Sequence, residues 1–176
     1  RKGLSPDVKF PRILGIECVG VIADTTDPQR LPVGQKVVSI MGEMGRAFDG
    51  SYAEYTLLPN DQIYPVTTNL DWTTLATVPE TYYTAYGSLK NLRLQPSDRV
   101  LVRGATSGVG VAFVNLAKAC YPGIQVTGTT RNLAKQDLLL DQGFDDVIED
   151  RDGKLQTDQQ FTKALELIGP ATTKDT

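Results

Sequence analysis

The stretch Arg99-Val100-Leu101-Val102-Arg103-Gly104-Ala105-Thr106-Ser107-Gly108-Val109-Gly110-Val111-Ala112-Phe113 decides the fold. Val100-Leu101-Val102 is a compact apolar run of strand length. Gly104 to Gly110 is a turn of small residues. Val109, Ala112, Phe113, Leu116, Ala117 and Cys120 then fall at i, i+3, i+4, i+7, i+8 and i+11, the apolar stripe of one helix. A strand, a glycine turn and a striped helix open a dinucleotide-binding fold. Small residues are needed there because the turn is tight, the backbone must approach a pyrophosphate, and helix must pack closely on strand. The helix then aims its first N–H groups at the phosphate. The fingerprint is imperfect. With Gly110 as the third glycine of G-x-G-x-x-G, the first two places hold Ala105 and Ser107. A Walker loop is excluded, because Val111-Ala112 follow Gly110 where Lys-Ser/Thr is required.

Downstream the same alternation continues. Ile124 to Thr129 reads as a second strand and Asn132 to Gln142 as a second helix, closed by Gly143. Asp146 to Ile148 and Thr162 to Ile168 read as further strands. This order predicts a doubly wound parallel sheet from residue 98 onward. About 20 residues after the glycines an NAD site usually places Asp or Glu on the ribose 2′-hydroxyl. Thr130 stands there, followed by Arg131 and, one helical turn on, Lys135. A carboxylate would repel a 2′-phosphate, whereas Thr, Arg and Lys would bind it. Two cations at a helix start oppose its dipole and are easier to explain with an anion present. The expected cofactor is NADP(H). Its expected contacts are Ala105, Thr106, Ser107, Gly108, Val109, Gly110, Thr129, Thr130, Arg131 and Lys135.

Upstream the pattern is β-like. Ile13 to Ala23, Lys36 to Met41, Ser51 to Leu58 and Gln62 to Val66 are short strand candidates, separated by Gly and Pro turns. Residues 71 to 95 change to helical spacing. The expected organisation is a β-rich domain over 1–75, connecting helices over 76–97, and the dinucleotide domain over 98–176.

Composition narrows the chemistry. The 176 residues include no histidine and two cysteines, Cys18 and Cys120. A Cys/His zinc site and a histidine-based nucleophilic triad are therefore excluded within this chain. With 18 Lys+Arg against 21 Asp+Glu, the formal charge of −3 gives no nucleic-acid footprint. No apolar run is long enough for a membrane helix. Two distant cysteines fit a reducing cytoplasm. The acidic cluster Asp145, Asp146, Glu149, Asp150 and Asp152 reads as a solvated rim around buried Val147 and Ile148. Cys18, in an apolar run, reads as structural. The chain begins at Arg1, not Met, so a piece of something longer is expected.

Several stretches in order resemble the zinc-independent quinone oxidoreductase branch of the medium-chain dehydrogenase/reductase superfamily. Residues 11–22 (PRILGIECVGVI) resemble the strand pair of its GroES-like catalytic domain. Residues 31–37 (LPVGQKV) resemble its turn, and 50–55 (GSYAEY) its next strand. Val78 to Tyr86 resembles the helix that crosses to the cofactor domain. Gly104 to Gly110 resembles the phosphate loop, and Thr130-Arg131 with Lys135 its NADPH-specific form. Zinc alcohol dehydrogenases carry His before the motif glutamate and a four-Cys lobe. Here Ile16 precedes Glu17, and no such lobe exists.

The resemblance implies a partial GroES-like domain followed by a partial Rossmann domain, about half of a family chain. It implies hydride transfer from NADPH to a quinone or α,β-unsaturated carbonyl without zinc, with neither nucleic acid nor membrane as partner, and a homodimer of the intact protein. Thr84 resembles the family's threonine near the nicotinamide, and Glu17 is a structural or hydrogen-bonding residue. Tyr52, Tyr82, Tyr83 and Tyr86 carry phenols able to donate a proton, although core packing accounts better for their aromatic spacing. The family often has a tyrosine near the 2′-phosphate where Glu149-Asp150 stand. A non-catalytic NADP-binding or interaction relative fits the same residues. Tyr86 and Lys90 match the Tyr-x-x-x-Lys spacing of short-chain dehydrogenases but lie upstream of the glycine turn, the wrong order for that family.

Overall fold

The computed structural model describes residues 8–176, which form two compact units meeting between Glu80 and Thr81. The first unit holds a three-stranded antiparallel sheet. β1 (Glu17–Val21) pairs with β2 (Lys36–Ile40), from Glu17 opposite Ile40 to Val21 opposite Lys36. β3 (Tyr64–Pro65) pairs with β2 on its other side. Ile22, Leu31, Val37 and Ile63 form a small buried cluster. The chain returns to β2 through Gly34, whose positive φ of 87° lets its N–H reach Ile22 O at 2.8 Å.

The strand expected over Ser51 to Leu58 does not form. Gly50 N and Tyr52 N donate to Ile13 O and Leu14 O, at 2.8 and 2.9 Å, and the pairing then stops. Tyr52, Tyr55 and Leu57 stand out in solvent. Alternating hydrophobicity favours an extended chain, but a ladder also needs a partner strand. Among the described residues that partner is limited to Ile13 and Leu14. The strand expected at Gln62 to Val66 is shortened to β3, because Asn60–Gln62 close a 3₁₀ turn.

Helices follow as expected. α1 (Trp72–Ala76) is capped by Asp71, whose carboxylate accepts from Thr74 N at 2.9 Å. α2 (Pro79–Leu92) starts on a proline, whose missing N–H costs nothing at the first helical position.

In the second unit β4 (Arg99–Arg103), α3 (Gly108–Cys120), β5 (Gln125–Thr130), α4 (Gln136–Asp141), β6 (Asp146–Arg151), β7 (Lys154–Leu155) and β8 (Lys163–Glu166) build a five-stranded sheet in the order β7-β6-β5-β4-β8. All pairs are parallel except β6 with β7. Residues alternate faces along a strand. Val100, Val102, Val126, Val147 and Leu165 therefore share one face, and Ala85 and Leu89 of α2, Phe113 of α3 and Leu139 of α4 pack on it. β4 lies between β5 and β8, so chain order reverses beside it. That reversal opens the crevice at the strand ends where such sheets take ligands.

Three local readings change. The second helix begins later than Asn132: a 3₁₀ turn over Leu133–Lys135, capped by Asn132, precedes α4. The third strand runs on to Arg151, because Asp152-Gly153, both at positive φ, turn the chain into β7. Such a pair is a strong hairpin signal. The fourth strand is trimmed to Lys163–Glu166.

Candidate dinucleotide site

The turn between β4 and α3 is built by close approach. Gly104 has φ 88°, and its N–H donates to Thr129 Oγ1 at 3.2 Å. A Cβ on Gly110 would lie 2.8 Å from Ala105 O and 2.9 Å from both Ala105 Cα and Gly104 O. A Cβ on Gly128 would meet Ala105 Cβ and Phe144 Cδ1 at 2.9 Å. Ala105 is thus enclosed between two positions where only glycine fits. Ser107 caps α3, its hydroxyl accepting from Gly110 N at 3.1 Å. The N–H groups of Gly108 and Val109 lie in the first helical turn and have no acceptor inside the helix. Thr106, Ser107 and Gly108 are exposed, so the start of α3 borders solvent.

The other expected contacts divide. Thr129 and Thr130 are buried, with hydroxyls already engaged. Thr129 holds Gly104 N, while Thr130 Oγ1 accepts from Asn132 N and donates to Asn132 O, both at 3.1 Å. They shape the strand end. Arg131 and Lys135 are exposed, and neither makes an ion pair with a described residue. Beside them Glu149, which pairs with Thr130 across the sheet, carries its own cation: Arg151 Nη2 lies 2.5 Å from its carboxylate. Thr84 is half-buried in the middle of α2, its carbonyl accepting from Ser88 Oγ at 2.9 Å. Tyr52 belongs to the first unit and is exposed.

Two readings from the first unit are resolved by contacts. Glu17 Oε2 accepts from Glu80 N at 2.8 Å, placing a carboxylate on the first turn of α2. Burial pushes the Cys18 thiol up, the Glu17 charge adds to this, and a hydrogen bond with the Ser39 backbone partly opposes it. A thiol held in its protonated form is a poor nucleophile.

The acidic rim is corrected at Asp150. This residue is buried and accepts from Arg103 Nε at 2.8 Å. Arg103 is itself fully buried. Its Nη1 also donates to Thr172 O and Thr176 Oγ1, both at 2.9 Å, and lies 3.2 Å from Asp175. Among the described residues no cluster of three metal-ligating side chains forms. Arg103 passed as a strand end in the sequence. Its one signal is alternation: it follows Val102 and so lies on the face away from the helices.

The profile of the alcohol dehydrogenase GroES-like domain matches residues 1–68. YhfP of Bacillus subtilis is 32% identical over 170 residues, which are 92% of this chain and 51% of YhfP. Its crystal structure with NAD bound superposes with a TM-score of 0.77, covering 95% of this chain and 53% of that one at 30% identity. The quinone oxidoreductase of Lama guanicoe is 30% identical over 150 residues, 82% of this chain and 42% of its own. The chain belongs to the quinone oxidoreductase-like members of the medium-chain dehydrogenase/reductase superfamily. Within that family it spans about half the length of YhfP. Similarity extends to highly-reducing polyketide synthase 1 of Aureobasidium melanogenum, 33% identical over 126 residues, 70% of this chain and 5% of the synthase.

Proposed function

We propose that the protein is an oxidoreductase that passes a hydride from NADPH to a quinone or an α,β-unsaturated carbonyl without zinc. The observation that carries the reading is the glycine cradle. Gly110 and Gly128 enclose Ala105, and the start of α3, with the first-turn N–H groups of Gly108 and Val109, borders solvent. A pyrophosphate fits such a place by shape and by charge. The NAD in the YhfP crystal supports a nicotinamide dinucleotide. The choice of NADPH rests on this chain's own Arg131, exposed just past the end of β5, and Lys135, exposed in the following 3₁₀ turn, with Thr130 where an acidic residue would select NADH. When bound, the cofactor supplies the hydride. The chain's part is to bind and orient: the turn backbone at the pyrophosphate, Arg131 and Lys135 at the 2′-phosphate, and Thr84 near the nicotinamide. Ile16 before Glu17, in a chain without histidine, supports chemistry without zinc. The reading includes a cytoplasmic setting, in keeping with two free cysteines, and a homodimer of the intact protein.

The test couples turnover to binding. NADPH oxidation is followed with 1,4-benzoquinone and a panel of enones, and NADPH and NADH affinities are compared before and after Arg131→Ala. Losing a charge-assisted phosphate contact should weaken NADPH by about tenfold or more and leave NADH unchanged. Equal affinity for both cofactors in the parent protein refutes the 2′-phosphate site. Tight NADPH binding without turnover on any acceptor favours a second reading, a non-catalytic dinucleotide binder.

A further inference from the structure

Arg103 is the residue immediately before the glycine turn, and it is fully buried on the sheet face away from the helices. A buried guanidinium is retained only with partners. Those partners come from three places: Asp150 at the end of β6, Glu166 at the end of β8 at 4.0 Å, and the stretch Thr172 to Thr176. Glu166 extends the network. Its Oε1 accepts from Ile168 N at 2.6 Å and Gly169 N at 3.2 Å, and its Oε2 accepts from the Thr172 and Thr176 hydroxyls at 3.0 and 2.7 Å. Segment 167–176 is thereby pinned to the sheet. That segment in turn packs on the turn, since a Cβ on Gly104 would meet Ile168 Cδ1 at 3.1 Å and Leu167 Cβ at 3.2 Å. Leu167 N also donates to Arg103 O at 3.1 Å. One side chain therefore ties the ends of β4, β6 and β8 together under the first residue of the cradle.

We propose that Arg103 is a positioning residue for the dinucleotide: its buried ion-pair network clasps the strand ends and holds Gly104 to Gly110 in the shape that receives the pyrophosphate. The inference rests on the dinucleotide-binding reading, and its test has a readout that needs no ligand. Amide hydrogen exchange is measured across Gly104–Gly110 in the parent protein, Arg103→Met, Arg103→Lys and Asp175→Asn, with Ala85–Leu89 of α2 as the internal reference. NADPH affinity is measured in parallel by its fluorescence. Arg103→Met should speed exchange in the turn, leave α2 unchanged, and weaken NADPH by about tenfold or more. Lysine keeps the charge but lacks the fork that bridges Asp150 and Thr172, so it should recover only part of the loss. Asp175 is partly exposed, so Asp175→Asn tests the clasp even if Arg103→Met does not fold; turn-specific acceleration is expected. Parent-like exchange in Asp175→Asn or in folded Arg103→Met, or acceleration spread evenly into α2, overturns the clasp. If the parent protein binds no NADPH, the NADPH reading fails, and the exchange pattern alone decides the role of Arg103.

Discussion

Replacing Gly110 by alanine sets two effects of known size against each other. Alanine is favoured over glycine in a helix interior by about 1 kcal/mol. Gly110 is the third residue of α3, so the gain is no larger than that. Against it stands a new Cβ within 2.8 to 2.9 Å of Ala105 O, Ala105 Cα and Gly104 O. All three are backbone atoms, and none can rotate aside. Relief requires α3 to shift against β4, and overpacking of this kind costs about 1–3 kcal/mol. The larger cost wins, with a net loss of about 1 kcal/mol. In a chain of this length that lowers the melting temperature by about 2–4 °C.

Two internal controls isolate the cause. A Cβ on Gly108 would meet only the Thr81 side chain, Cγ2 at 3.5 Å and Oγ1 at 3.9 Å, ordinary contacts. Gly108→Ala should stay within about 0.5 kcal/mol of the parent. A Cβ on Gly87, inside α2, would meet nothing within 4 Å. Gly87→Ala should therefore stabilise by about 0.5–1 kcal/mol. Thermal melts of the three variants should rank Gly87→Ala highest and Gly110→Ala lowest, and only Gly110→Ala should lose NADPH affinity as the turn moves. If Gly110→Ala melts with Gly108→Ala and binds NADPH as the parent does, the close-packing account of this turn is wrong.

Other expectations follow from single contacts. Glu17→Ala removes the acceptor of Glu80 N–H and should cost about 1 kcal/mol, with Glu17→Gln recovering most of it; an Ala variant that melts with the parent would show the contact to be idle. Burial raises the pKa of Glu166, but its hydrogen bonds with Thr176, Ile168, Gly169 and Thr172 outweigh this and hold it below the ordinary 4.5. Its stabilisation is thus present above that value and is lost as pH falls through the lower folded-state pKa. The stability gap between the parent and Glu166→Gln should narrow on acidification from about pH 5 downward; a gap that widens reverses the sign. Cys120 is exposed whereas burial raises the Cys18 pKa, so iodoacetamide should label Cys120 first by mass spectrometry, and equal rates would contradict the burial of Cys18.

What the sequence made legible was local. The strand, turn and helix around Gly104 to Gly110 could be read because each depends on near neighbours: apolar period and small residues. The doubly wound parallel class of the sheet followed from the alternation of strands with helices. Gly128 carries no local signal, because its constraint is set by Ala105 and Phe144, distant in the chain. Thr130 was assigned to a ligand by distance from the glycines, whereas the fold uses its hydroxyl in the turn at Asn132. Asp150 looked like one more surface acid until β6 brought it to Arg103, a pairing of residues 47 positions apart. The hairpin at Asp152-Gly153 has a dipeptide signal of its own, set beside an acidic cluster that reads as a plain surface rim. Tyr52 to Leu57 show the converse error, a strand pattern whose ladder stops after two hydrogen bonds.

The strand order also makes the two borders of the second sheet unequal. On one side β7 offers two residues, paired antiparallel to the end of β6, too short to template another chain. On the other, β8 presents four residues hydrogen-bonded along one side only. Unsatisfied strand backbone recruits whatever extended segment reaches it, whether from its own chain or from a neighbour. Among the described residues any lengthening of this sheet is therefore directional, at Lys163–Glu166 and not at β7. Lys163 opens that short strand with a charge, whereas the Glu166 carboxylate at its other end is already taken up by Arg103 and segment 168–176, which makes Lys163 the position to preserve when the protein is redesigned.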